Sequence, residues 1–158
     1  MADNTNMSTN ELQARLQKAE NIRARDGVVW KDKFDRTHTI SDARELADGT
    51  PVKLAGRVTA LRWLGKLMFG RIYDIAGEIQ FSMSREELGE EQYKFMKANV
   101  DLGDFIGIDG ELYHTTAGEL TVRVASYTIL SKALRPLPEK FHGLTDTETR
   151  YRQRYLDI

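Results

Sequence analysis

Five stretches of this chain alternate apolar and polar residues with a period of two, and a stretch of helical character falls between the third and the fourth. Val52, Leu54, Gly56, Val58 and Ala60 alternate with Lys53, Ala55, Arg57 and Thr59, predicting a half-buried strand with a basic outer side. Phe69, Arg71 and Tyr73 alternate with Gly70 and Ile72, and Ile79, Phe81 and Met83 alternate with Gln80, Ser82 and Ser84. Ala76 and Gly77 offer a tight turn that makes these two runs a hairpin. Residues 85–99 carry Leu88, Tyr93, Phe95 and Met96 among charges and read as a helix, weakened near Gly89. Residues 105–113 follow with Ile106, Ile108 and Leu112 facing inward; after a turn at 116–118, Leu120, Val122 and Val124 alternate with Glu119, Thr121 and Arg123. The order strand, strand, strand, helix, strand, strand is that of a mainly β, five-stranded Greek-key OB-fold barrel, with its nucleic-acid face on the second and third strands.

The flanks divide the chain further. Residues 1–8 are a polar tail of disordered composition, and residues 9–50 read as a helical extension. Ser8 stands three residues before Glu11, the spacing of a capping box, and Leu12, Leu16, Ala19 and Ile22 form a narrow apolar stripe ending at Gly27. Arg15, Lys18, Arg23 and Arg25 fall on the other faces and are expected in solvent. Beyond Gly27, Val28, Val29, Trp30 and Phe34 are available to pack, and Ser41 is placed to start a short helix. Residues 51–131 make the barrel and 132–158 a connector, in which Pro136 and Pro138 favour an extended spacer.

Composition narrows the chemistry. With no cysteine there is neither a disulfide nor a thiolate metal site, and a cytoplasmic protein is expected. No run approaches the roughly 18 apolar residues of a membrane span. His38, His114 and His142 are scattered and no glycine-rich phosphate loop follows a strand, so no catalytic or metal-binding residues are assigned. The net charge of -1 hides a segregated pattern. Lys53, Arg57, Arg62, Lys66 and Arg71 fall between residues 50 and 73 without an acid, and Asp74, Glu78, Glu86, Glu87, Glu90 and Glu91 come directly after. A basic face can survive on such a neutral protein.

Strand parity leaves Phe69, Arg71, Tyr73, Gln80, Ser82, Glu119, Thr121 and Arg123 outside the barrel. Taken singly, a strand phenylalanine is most often core, and Gln80 or Glu119 an ordinary surface group. Together they offer what single-stranded RNA needs, because unpaired bases stack on aromatics and their edges are read by amides and carboxylates. Phe69 is expected to stack a base, Gln80 to donate to and accept from a pyrimidine edge, and Glu119 to accept a base N–H. Arg57, Arg62, Lys66, Arg71 and Arg123 are the candidates for the RNA backbone.

The words VKLAGRV, GKLMF, IYDIAGEIQF, DLGD and TAGELTV resemble the anticodon-binding domain of bacterial-type class II lysyl-tRNA synthetases, as do ALRPLP, KFHGL and RYRQRYLD in the C-terminal segment. The likeness runs over residues 11–158. It implies that Phe69 stacks the central uridine of a U-rich lysine anticodon, that Gln80 and Glu119 read bases, and that Arg62 is a basic contact. It also implies a larger enzyme that attaches lysine to tRNA as a homodimer. Its ATP and magnesium sites would lie in a catalytic domain beginning where this sequence ends, leaving this piece to bind without catalysing. One departure stands out: related synthetases often carry a second aromatic two residues after the glutamine, where this chain has Ser82, and Phe81 cannot replace it because its parity points inward. The competing readings are an aspartyl or asparaginyl anticodon domain, disfavoured by the words around Pro136 and Phe141, and a general single-strand-binding OB-fold protein.

Overall fold

A computed structural model describes residues 9–27 and 34–134. Ser8, Val28, Val29, Trp30 and the connector words from Arg135 onward lie outside the described residues. The strands are β1 (Pro51–Leu64), β2 (Leu67–Asp74), β3 (Gly77–Ser84), β4 (Phe105–His114) and β5 (Leu120–Ser131), and they close in the order β1-β2-β3-β5-β4. The seam is a short parallel contact in which Gln80, Phe81 and Ser82 pair with Thr121, Val122 and Arg123. Helices α1 (Thr9–Asp26) and α2 (Ile40–Ala43) precede the barrel, and α3 (Arg85–Leu88) and α4 (Glu90–Asn99) stand between β3 and β4.

The inward half of each alternating run fills the barrel. Val52, Leu54, Val58, Met68, Ile72, Ile79, Phe81, Met83, Ile106, Ile108, Leu112, Val122 and Val124 are all buried in one cluster. Phe81 reaches its place because Gly70 opposite has no side chain: a Cβ there would lie 2.8 Å from the Ala60 carbonyl oxygen and run into the Phe81 ring. β1 and β5 run on past their alternating segments, to Leu64 and Ser131, and so complete the closure.

The helical run between β3 and β4 is two helices. Ser84 Oγ accepts from the Glu87 N–H at 3.1 Å to start α3, and Gly89, at φ +98°, breaks the run before α4. From α4, Tyr93 donates its hydroxyl to the Gly65 carbonyl at 2.8 Å and packs edge-to-face with Trp63, pinning the β1–β2 turn. The cap of α2 falls on Thr39 rather than Ser41, its Oγ1 accepting from the Asp42 N–H at 3.1 Å.

Helix α1 docks differently from its apolar pattern. Ile22 is buried, but Leu12 and Leu16 remain 37% and 43% exposed. The basic residues expected in solvent do much of the docking instead: buried Arg15 donates to the Ala133 carbonyl at 3.0 Å, Lys18 pairs with Asp101 at 2.9 Å, and Arg25 lies 3.8 Å over the Phe95 ring. The surface under α1 offers a carboxylate, carbonyl oxygens and aromatic rings, which suit cations with long apolar stems better than leucines.

Candidate nucleic-acid interface

Strand register turns the outward residues into rows across the sheet. Phe69 on β2 faces Ser82 on β3, which faces Arg123 on β5; one row along, Arg71, Gln80, Thr121 and Tyr113 cross β2, β3, β5 and β4. Phe69, Gln80 and Glu119 are each half-buried. Gln80 Nε2 donates to Thr121 Oγ1 at 2.9 Å, and that hydroxyl donates to the Glu119 carbonyl at 3.0 Å, which fixes the amide plane. Arg71 holds the Glu119 carboxylate at 3.2 Å and stands 4.0 Å from Glu78. The carboxylate is therefore aimed before any ligand arrives. At 33% and 37% side-chain exposure the Arg71–Glu119 pair is a surface ion pair, worth at most about 1 kcal/mol to the fold.

The basic candidates separate. Arg62 is exposed on β1 opposite Phe69, and Lys66 is exposed in the β1–β2 turn. Arg123 is exposed and lies 4.1 Å over the Tyr113 ring. Arg57 is a correction: expected on an exposed basic side, it is only 7% exposed. Its register neighbours are Tyr73 and Phe105, and next to it Ala55, Phe105, Leu130 and Phe34 form a small second apolar cluster. The outer side of β1 is thus covered there, and Arg57 does not belong to the open face. Its charge opposes, without cancelling, the burial that pushes the Tyr73 hydroxyl pKa up. Ser82 and Thr121 face outward as expected but are covered by their neighbours, at 3% and 0% exposure.

Tyr113 is the site residue that sequence reasoning passed over. Its hydroxyl shares a hydrogen bond with Ser82 Oγ at 3.1 Å, although one strand stands between them. The signal was the outward parity of Tyr113 after inward Leu112, but only the β3-β5-β4 order brings it beside Ser82. Among the described residues no three His, Asp or Glu side chains gather as metal ligands, and no helix is long and apolar enough to cross a membrane. The face presents an aromatic platform, an oriented amide, an oriented carboxylate and exposed cations.

Residues 52–130 match the family model for tRNA anticodon binding, described as an OB-fold nucleic acid binding domain. A lysine–tRNA ligase from Lactococcus lactis subsp. lactis is 44% identical, covering 94% of this chain and 32% of the relative. A lysine–tRNA ligase from Carboxydothermus hydrogenoformans is 46% identical over 94% of this chain and 31% of its own length. A third, from Aquifex aeolicus, is 52% identical over 68% of this chain and 18% of its own length. The chain spans about a third or less of the length of these relatives.

Proposed function

This chain belongs to the OB-fold family of tRNA anticodon-binding domains, and from that premise we propose that its outer β2-β3-β5 face reads the U-rich anticodon of a lysine tRNA. The observation that carries the reading is the preset geometry of Phe69, Gln80 and Glu119: a half-buried ring beside an amide held by Thr121 and a carboxylate held by Arg71. Phe69 stacks the central uridine. The Gln80 carbonyl oxygen accepts the uridine N3–H, and Glu119 accepts an N–H from a neighbouring base. Arg62 and Lys66 hold phosphates on the rim.

Within the whole protein, the domain would deliver tRNA to a catalytic domain that joins lysine to it using ATP and magnesium, in a cytoplasmic homodimer. The likeness to lysine–tRNA ligases about three times as long supports this. The present chain then binds tRNA without catalysing, and lysine-dependent pyrophosphate exchange by it alone would contradict the proposal.

Binding of a lysine anticodon stem-loop, with uridine or cytidine at the centre and at two salt concentrations, tests the face. Cytidine should weaken binding about ten-fold, about 1.4 kcal/mol, and Phe69→Ala should weaken the uridine complex by a similar factor. Equal affinity for both loops, tracking salt alone, would leave only a general single-strand binder. A second variant separates reading from holding. Glu119→Gln should change the thermal midpoint little, because the ion pair it breaks is a third exposed, yet cut discrimination among anticodons about five-fold. If discrimination survives intact, Glu119 serves only to place Arg71.

A further inference from the structure

We propose that Arg123, held over the Tyr113 ring, is a second base-stacking platform that takes the nucleotide next to the one on Phe69. The proposal rests on the reading of this face as an RNA interface and adds a subsite to it.

Phe69, Ser82 and Arg123 lie in one cross-strand row on β2, β3 and β5. Neighbouring strands are about 4.8 Å apart, so Phe69 and Arg123 start about 10 Å apart with Ser82 between them. Ser82 is short and 3% exposed, covered by neighbours that include the Tyr113 hydroxyl, so Phe69 and Arg123 stand on either side of a low, filled floor. Successive bases in a stacked strand rise about 3.4 Å, so a span of about 10 Å leaves room for two adjacent nucleotides, one on each group.

Tyr113 builds the second wall. To bring its hydroxyl within 3.1 Å of Ser82 Oγ, the side chain leaves β4 and crosses β5, passing over Thr121, which is 0% exposed. The Arg123 guanidinium lies 4.1 Å from the ring centroid, and Arg123 itself is exposed. The stack thus runs sheet, tyrosine, guanidinium, solvent, and its outer surface is a cationic plane. A nucleobase stacks on such a plane, and the charge favours the phosphate beside it. An arginine that serves phosphate alone needs no ring beneath it. The aromatic missing at position 82 is thereby supplied from β4, through a tyrosine bonded to the serine that stands there.

The experiment measures stem-loop binding for the protein, Arg123→Lys and Tyr113→Leu, with the intact loop and with loops made abasic at each nucleotide flanking the central one. Arg123→Lys keeps the charge and removes the plane. Both variants should weaken binding to the intact loop about 5- to 10-fold. Removing the base on one flank should weaken the unmodified protein equally and leave the variants no further loss. Two results overturn the proposal: Arg123→Lys binding as the unmodified protein does, or a loss that persists unchanged in both abasic loops, which marks a backbone contact. If Tyr113→Leu lowers the melting temperature, Arg123→Lys decides alone. The central cytidine loop and Phe69→Ala serve as the internal reference. If they still discriminate while Arg123→Lys is silent, the platform fails and the anticodon reading stands; if they do not, the anticodon reading fails.

Discussion

Lys132→Met should cost about 3–5 kcal/mol at neutral pH, a large fraction of the stability of a domain this size. The Lys132 side chain is 0% exposed, with Nζ 2.6 Å from Asp101 and 2.7 Å from Asp104, whose side chain is also 0% exposed. Asp104 also accepts from the backbone N–H groups of Asp101 and Ala133, each at 2.8 Å. With Arg15 bonded to the Ala133 carbonyl and Lys18 to Asp101, one knot ties α1, the α4–β4 loop and the end of β5 together. Methionine nearly matches the stem of lysine in volume, so the loss measures charge: two carboxylates lose the cation that offset their burial.

The pH dependence identifies the cause. Burial raises the Asp104 carboxyl above its ordinary value, and Lys132 opposes that rise. For Asp101 burial also pushes upward, but hydrogen bonds from Lys132 and Lys18 outweigh it and leave the group below its ordinary value. A lowered carboxylate adds stability above its unfolded pKa and loses it as pH falls through the folded one; a raised carboxylate costs stability as pH rises through its window. Without Lys132 the Asp104 carboxyl rises further and Asp101 loses its strongest support. The variant therefore recovers stability as acid protonates Asp104, and its deficit against the unmodified protein should shrink as pH falls from neutral toward the ordinary carboxylate range. Urea melts from neutral pH down toward that range check it. A constant deficit would mean that lost packing, not lost charge, is responsible.

That knot was hidden from sequence reasoning, whereas much of the outer β2-β3-β5 face was not. Parity alone places Phe69, Gln80 and Glu119 outside, because a barrel with an apolar interior tolerates no one-residue slip. The strand and helix order likewise points to the fold class, since few topologies accept it, but not to which side chains meet across the seam. Arg57 obeys the same parity and is nevertheless buried: alternation says which side of a strand a residue takes, but not whether that side meets solvent, and its register partner Phe105 belongs to an apolar cluster with Phe34 and Leu130 drawn from far along the chain. Arg15 misled for a related reason. Helical periodicity assigns a cation to water, and only the folded chain brings the Ala133 carbonyl 118 residues away to receive it. Tyr113 needed the β3-β5 seam, a parallel pairing that no local pattern announces.

Gly110→Ala should cost about 3 kcal/mol or more, at the upper end of what overpacking costs. The residue sits where the β4–β5 register shifts, between the pairs Asp109 with Ser126 and Gly110 with Val124. A Cβ there would collide with the Arg123 carbonyl oxygen and come within 2.8 Å of the Arg123 carbonyl carbon and 2.9 Å of the Val124 Cα. All three are backbone atoms of a paired strand, so they yield only if the ladder shifts. Gly77→Ala is the matched control, since the nearest atom to its Cβ is an Ile40 methyl at 3.6 Å, an ordinary contact. The carbonyl that must move belongs to Arg123, so the damage should reach function as well as stability. Under conditions where Gly110→Ala remains folded, its affinity for the anticodon stem-loop should fall as Arg123→Lys makes it fall, and the two losses should not add, because both remove the same platform. Equal urea midpoints for the two alanine variants would show that β5 yields at Gly110 without cost, and would dissolve the link between the bulge and the position of Arg123.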